Sequence, residues 1–522
     1  MTKLRPRPGL MALVLCALPA SGMAAEGAQL VDRYCSGCHQ PQAGEGSWSR
    51  ISAQRKTPEG WDMTIARMGI MHGVQVPGED RRELVKYLAD SRGLAPQESA
   101  PQRALIERRL NRVESFDHPT FQQMCARCHT GGRVLLQRRT EEDWAKLVNF
   151  HVGQYQTLEF QSNARDRDWL GLALDDIVPW LGDNFSVQSD AWDSWQQATP
   201  VDPTGRFQMW GSWPGQGAFV AAVEIEAAEG DDAYRMSVDG HFLDGRELQG
   251  QGMATLFTGY EWRAQLSLDG QSLLQVLDFS QDMPSGRVFD ADDEAMGMQV
   301  TLLPEAQETS IEAVLPRGLK AGERTTLAVI GTGLDADALE VGEGLEVIEV
   351  LKQENGLLLL EVAVDGSATP GWRALRQADA TLERKLAVYD RVDRLEISPD
   401  FAVARVGAEQ TPAVSGVFRV EGYLEGEGQQ PIALGEVPVN WSVSPWDETA
   451  EQDGDVTFAG VMDKASGIFS PSGAGPNPER KYDTNNAGNL RVSATARGQS
   501  EAVSDDAQLI VTVQRWNNPP LR

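Results

Sequence analysis

Cys35-Ser36-Gly37-Cys38-His39 places two thiols one helical turn apart, with an imidazole directly after the second. Cys125-Ala126-Arg127-Cys128-His129 repeats the arrangement ninety residues later. C-x-x-C-H is the spacing of a c-type haem attachment site, in which two thiols add to the vinyl groups and the adjacent histidine reaches the iron. A single copy would also suit a redox dithiol or half of a zinc site. Two copies in similar frames point instead to two covalently bound haem c groups. Cys35, Cys38, Cys125 and Cys128 are then the anchors, and His39 and His129 the proximal ligands.

An iron held this way takes a sixth ligand, usually Met or His. Trp61 is followed seven residues later by Met68, and Trp144 at the same interval by His151. Seven residues is two helical turns, so each pair shares one helix face. Overlaying the tryptophans pairs His39 with Met68 at the first haem and His129 with His151 at the second. His151 is the only histidine between His129 and the β region, and no methionine follows Met124 in that module. At the first haem Met63, Met71 and His72 compete with Met68. A thioether ligand raises the reduction potential and a second imidazole leaves it lower, so unlike ligands suit a directional relay. Two six-coordinate irons also leave no position open for oxygen or peroxide.

These residues need helices to position them, and residues 26–185 read as helical. Ala28 to Tyr34 leads into the first motif and Pro119 to Met124 into the second. Arg81 to Ser91 and Asp175 to Gly182 read as closing helices, in which Leu84-Val85-Lys86-Tyr87-Leu88 matches Ile177-Val178-Pro179-Trp180-Leu181. The two modules, about 26–97 and 98–185, meet at the linker-like run Ala95 to Pro101. His118, just before Pro119, reads as a cap or surface residue. Residues 1–25 read as a cleaved signal peptide, with a basic start at Lys3, Arg5 and Arg7, a short apolar run and small residues near Ala24 and Ala25. The leader points to an exported, periplasmic protein, and its cleavage removes Cys16 and leaves cysteines only in the two motifs, with none for a structural disulfide.

After Asp190 the hydrophobic period changes from 3.6 to 2. Residues 186–306 read as an antiparallel barrel or sandwich, with Asp239-Gly240 and Asp269-Gly270 as hairpin turns. Trp192, Trp195, Trp210 and Trp213 crowd its start as core or as an interface with the helical domain. Residues 307–392 and 393–522 read as two immunoglobulin-like sandwiches, the first with a hairpin at Asn355-Gly356. The fold class is therefore a helical dihaem cytochrome c domain followed by three antiparallel β domains, one of them a barrel. His241 is the only histidine beyond residue 151, so no histidine triad or zinc cage can form in the β region. A net charge of −29 argues against nucleic acid as a partner, and no later segment is apolar enough for a membrane span.

With these features the chain resembles the alpha (dihaem) subunit of bacterial quinohaemoprotein amine dehydrogenase. Two C-x-x-C-H motifs in an N-terminal cytochrome domain, three following β domains and the run Trp61 to Gly73 carry the resemblance. It implies a heterotrimer, in which a small gamma subunit bears a cysteine tryptophylquinone and a beta-propeller subunit completes the assembly. This chain would take electrons from the quinone during oxidative deamination of primary amines. It would pass them to a soluble periplasmic acceptor, a small cytochrome c or a cupredoxin. No catalytic residue is expected on the chain itself. The competing readings are a stand-alone dihaem carrier with β binding modules and a dihaem peroxidase-like enzyme.

Overall fold

Two short strands, β1 (Gln54–Lys56) and β2 (Gln137–Arg139), relate the halves of the helical domain to each other. They pair antiparallel, with Arg55 opposite Arg138 and Gln54 opposite Arg139. Each strand precedes an equivalent helix, so the pairing places a pseudo-two-fold axis between the modules. The computed structural model describes residues 21–513 except 45, 101, 106–113, 127–128, 155–166, 409–411 and 427–429, with side chains from Glu26 onward. Cys128, Cys16 and most of the signal-peptide segment thus lie outside the described residues.

In the first module α1 (Ser21–Cys35), α2 (Pro58–His72) and α3 (Gly78–Ser91) pack around Leu30, Val31, Trp61, Leu84 and Leu88. Thr57 starts α2 by accepting the Gly60 N–H through its hydroxyl, with Pro58 at the first helical position. Gly73 ends it in the left-handed region at φ 73°. The crossing of α1 and α3 is tight. A Cβ on Gly27 would stand 2.5 Å from the Tyr87 side chain, which is why glycine is needed there. The Ala95 to Pro101 run is not a loose linker. Its α4 (Pro96–Ser99) is a buried helical turn wedged between the modules.

The second module repeats the plan with α5 (Pro119–Met124), α6 (Gly132–Leu135) and α7 (Glu141–Gln154). Its closing helix starts at Trp169–Leu172, capped by Asp168, widens into a π turn at Ala173–Ile177 and continues as Val178–Asn184. A further short helix, Asp190–Trp195, extends the helical region past the point where the period changes. Among the described residues no helix is long and apolar enough to cross a membrane.

Strands β3 (Gly205–Trp213), β4 (Gly217–Ala227), β5 (Ala233–Phe242), β6 (Glu247–Phe257), β7 (Glu261–Leu268), β8 (Gln271–Asp278), β9 (Ser285–Asp290) and β10 (Gly297–Pro304) form a closed antiparallel barrel. Met236, Leu256, Trp262 and Phe279 help fill its interior, so it is a packed core of the kind small barrels favour. Asp269 and Gly270 form the β7–β8 turn, both with positive φ, as a two-residue hairpin requires. Asp239-Gly240 is different: it lies inside β5. A Cβ on Gly240 would come within 2.2 Å of the Val220 carbonyl, so this glycine serves close strand approach rather than a turn.

Residues 310–389 form a two-sheet sandwich, with a four-stranded and a three-stranded sheet closing over Leu327, Leu360, Leu375 and Val388. Asn355-Gly356 is its hairpin turn. Residues 394–513 form a larger sandwich around Trp441, Phe469, Leu490 and Leu509. Each sandwich contains one parallel pair, Gly318–Lys320 beside Ala380–Tyr389 and Phe401–Val406 beside Ser504–Val513.

The helical domain is joined to the barrel by buried polar groups. Tyr260 donates its hydroxyl to the Leu94 carbonyl at 3.0 Å or to Glu261 at 2.9 Å, and lies 2.7 Å from the Ser99 hydroxyl. Arg263 pairs with Glu59 at 2.7 Å and Glu261 at 2.6 Å. Trp195 packs edge-on against Tyr260, and Trp192 lies under the Arg55 guanidinium. Trp213 belongs to the barrel core.

Candidate haem-binding sites

The end of α1 carries Cys35, and the chain turns there so that the Cys38 and His39 N–H groups donate to the Cys35 carbonyl at 3.1 and 2.9 Å. His39 Nδ1 lies 2.7 Å from the Ser49 carbonyl. A carbonyl only accepts, so Nδ1 carries the proton and Nε2 is the nitrogen left for a metal, as in most histidine ligands. Burial, then the charge of Cys38, pushes the Cys35 thiol up to about 11. On α2, Trp61, Ile65 and Met68 share one face, and Ile65 and Cys35 both pack against the core around Trp61. Met68 is half-buried, whereas Met71 and His72 are exposed. His72 lies a further turn along the same face, and Met63 lies on the opposite one.

In the second module His118 caps α5: its Nδ1 accepts the Phe121 N–H at 3.1 Å, the capping role its position suggested. The helix presents Cys125, whose thiol burial pushes up to about 12. His129 Nδ1 donates to the Thr130 carbonyl at 2.8 Å, and His151 Nδ1 to the Leu147 carbonyl at 2.8 Å. The two imidazoles lie close together, with ring centroids 6.4 Å apart and planes tilted by 46°. With each Nδ1 bonded to a backbone carbonyl, Nε2 is the nitrogen through which each ring would hold a metal. Burial, helped by the charges of Arg67 and Arg139 and opposed by the bond to the Leu147 carbonyl, lowers the His151 pKa, the direction that favours a neutral imidazole.

The repeat is closer than the motifs alone suggested. Trp61 donates its indole N–H to the Arg92 carbonyl at 3.0 Å, and Trp144 donates to the Phe185 carbonyl at 3.3 Å. Both carbonyls directly follow the closing helices. The Lys56 ammonium lies over the Trp61 ring at 5.3 Å, and the Arg139 guanidinium over the Trp144 ring at 5.5 Å. The tryptophans thus pin the closing helices in equivalent ways, which puts Met68 and His151 in register. The sequence signal for this is Gln54-Arg55-Lys56-Thr57 against Gln137-Arg138-Arg139-Thr140, which the motif reading passed over.

At the axis itself sits Glu98, a residue that motif reading did not single out. Its carboxylate accepts Arg55 Nη1 and Nη2 at 2.8 Å each and pairs with Arg138 Nε at 3.2 Å. One carboxylate from α4 therefore holds two repeat-equivalent arginines.

Fold and candidate sites together define a class: a helical domain of two repeated modules, each with a C-x-x-C-H motif, carried on a large β scaffold. Comparison with known families makes the class specific. Four family models match in order along the chain: quinohemoprotein amine dehydrogenase A, alpha subunit, haem binding, over residues 25–192; alpha subunit domain II over 201–305; domain III over 308–390; and domain IV over 395–521. The chain belongs to the quinohemoprotein amine dehydrogenase alpha-subunit family. A search of curated proteins returned no match.

Among solved structures, the redesigned β-barrel mFAP0 bound to DFHBI is similar over 19% of this chain and 96% of its own, at 13% identity and TM-score 0.17. Drosophila N-cadherin EC1-3 is similar over 45% of this chain and 77% of its own, at 9% identity and TM-score 0.18. S-layer protein SbsC domains 5-6 are similar over 39% and 99%, at 14% identity and TM-score 0.16.

Proposed function

We propose that this chain is the electron-transfer subunit of a periplasmic amine dehydrogenase complex. It would carry two haem c groups that relay electrons from a quinone on a partner subunit to a soluble acceptor. The observation that carries this reading is the His129–His151 pair, with ring centroids 6.4 Å apart and both Nδ1 atoms tied to backbone carbonyls. Cys35 and Cys38 anchor one haem, with His39 and Met68 as its ligands. Cys125 and Cys128 anchor the other, with His129 and His151. Cys128 lies outside the described residues and enters by its place in the motif. When bound, each haem supplies a reversible one-electron couple.

The chain's own residues do the rest. Ser49, Thr130 and Leu147 fix the imidazole tautomers, and the tryptophan-pinned helices hold the sixth-ligand positions. The thiol pKa values argue against the dithiol alternative. A reactive dithiol has a lowered pKa, whereas burial raises those of Cys35 and Cys125.

On this reading the amine is oxidised elsewhere. The quinone is a cysteine tryptophylquinone on a small gamma subunit, a beta-propeller subunit completes a heterotrimer, and the acceptor is a small cytochrome c or a cupredoxin. Export to the periplasm rests on residues 1–25. Native purification followed by haem and quinone staining of the separated polypeptides tests the assembly. The expected result is haem on this chain and quinone on a small co-purifying one. A haem-stained monomer with no quinone-stained partner would favour a stand-alone carrier instead.

A further inference from the structure

Six residues past Trp61 is Arg67, and six residues past Trp144 is Phe150. They occupy the same position in the two repeats, each directly before a candidate sixth ligand. They also touch: the Arg67 guanidinium lies over the Phe150 ring, 5.3 Å from its centroid. Equivalent residues that meet across a pseudo-two-fold axis lie on that axis, and sites related by it lie on either side. The Arg67–Phe150 contact therefore lies on that axis, directly beside both candidate sixth ligands in sequence.

The contact is symmetric in place but not in charge. Phe150 stands edge-on to His151, with ring centroids 6.1 Å apart, so the guanidinium stacked on Phe150 is carried toward the second site. Arg139 and Arg50 lie in the same neighbourhood. Both pair with Asp143, Arg50 at 2.9 Å, and Arg139 feels the charges of Arg67 and Arg50. Resting on the dihaem reading, we propose that Arg67, stacked on Phe150 at the pseudo-two-fold axis, raises the reduction potential of the His129/His151 haem.

The physical reason is that one-electron reduction removes a unit of positive charge from the haem. A fixed cation nearby in a poorly screened interior therefore stabilises the reduced state. Bis-imidazole ligation leaves a haem at lower potential than imidazole–thioether ligation. Arg67 works against that difference and brings the second haem closer to the first, so that transfer between them is less steeply biased. Ligand identity sets the direction of the relay, and the cation at the axis limits its slope.

The test is spectroelectrochemical titration of both haems in the intact purified protein, with each haem assigned by magnetic circular dichroism. In Arg67→Gln the reduction equilibrium of the second haem should fall about tenfold, which is about 59 mV for one electron, with a smaller change at the first. Arg67→Lys, which keeps the charge, should stay within about threefold of the parent, about 28 mV on the same scale. Should Arg67→Gln fail to load haem, Arg67→Met decides, because it keeps the aliphatic stem over Phe150 without the charge. An unmoved second potential in Arg67→Gln, or in Arg67→Met where that variant decides, overturns the proposal. A haem count below two per chain would instead overturn the dihaem reading on which it rests.

Discussion

Replacing Glu98 by alanine is expected to destabilise the helical domain by about 3–5 kcal/mol, the cost of removing one partner from a buried ion pair. The Glu98 side chain is 6% exposed, and the Arg55 and Arg138 side chains are 4% and 7% exposed. Without the carboxylate, two guanidiniums would face each other at the β1–β2 pairing with their shared anion gone. Ser189 and the Ala95 N–H, which donate to the same carboxylate at 2.8 Å each, would lose their acceptor too. Domains are typically stable by only about 5–15 kcal/mol, so this single change removes a large share. Thermal unfolding followed by circular dichroism measures it, and an unchanged melting curve would contradict the keystone role.

The same carboxylate carries a pH signature. Burial alone would raise the Glu98 pKa, but the hydrogen bonds from Arg55 and the charges of Arg138 and Arg55 outweigh it and hold the carboxyl below its usual value. A lowered folded pKa means a stabilising contribution that is fully present above the unfolded value of about 4.3. It is lost as pH falls through the folded value. The stability gap between the parent and Glu98→Ala should therefore be full at neutral pH and narrow in acid.

His151→Ala is expected to leave the second haem with five ligands and to convert one of two low-spin signals to high-spin. The first haem should keep its spectrum, because its proposed ligands lie on α1's motif and α2. Met68→Ala should do the reverse, perturbing the first haem alone. The half-buried position of Met68, against the exposure of Met71 and His72, is why it is the residue to change first. If His151→Ala leaves both signals low-spin, the ligand assignment at the second haem is wrong.

Much of this was legible in the chain because covalent and periodic constraints leave marks on sequence. The repeat shows in the equal spacing of Trp61 to Met68 and Trp144 to His151, whose tryptophans pin the closing helices in equivalent ways. Hairpins at Asp269-Gly270 and Asn355-Gly356 needed positive φ, which the residue types announced. Asp239-Gly240 carried the same letters for another reason, since the adjacent paired strand β4 presses on Gly240. Ala95 to Pro101 has the composition of a linker, yet Ala95, Pro96 and Ser99 within it are buried, and Glu98 matters through partners 43 and 40 residues away. The Arg67–Phe150 contact was hidden in the same way: its members are equivalent by repeat but meet only through the axis. Tertiary pairings of this kind have no local period to read.

The most direct measurement is the mass of the two peptides that contain Cys35 to His39 and Cys125 to His129, taken from the natively expressed protein. The account expects each to carry one haem bound through both cysteines. An unmodified pair of cysteines in either peptide would contradict it.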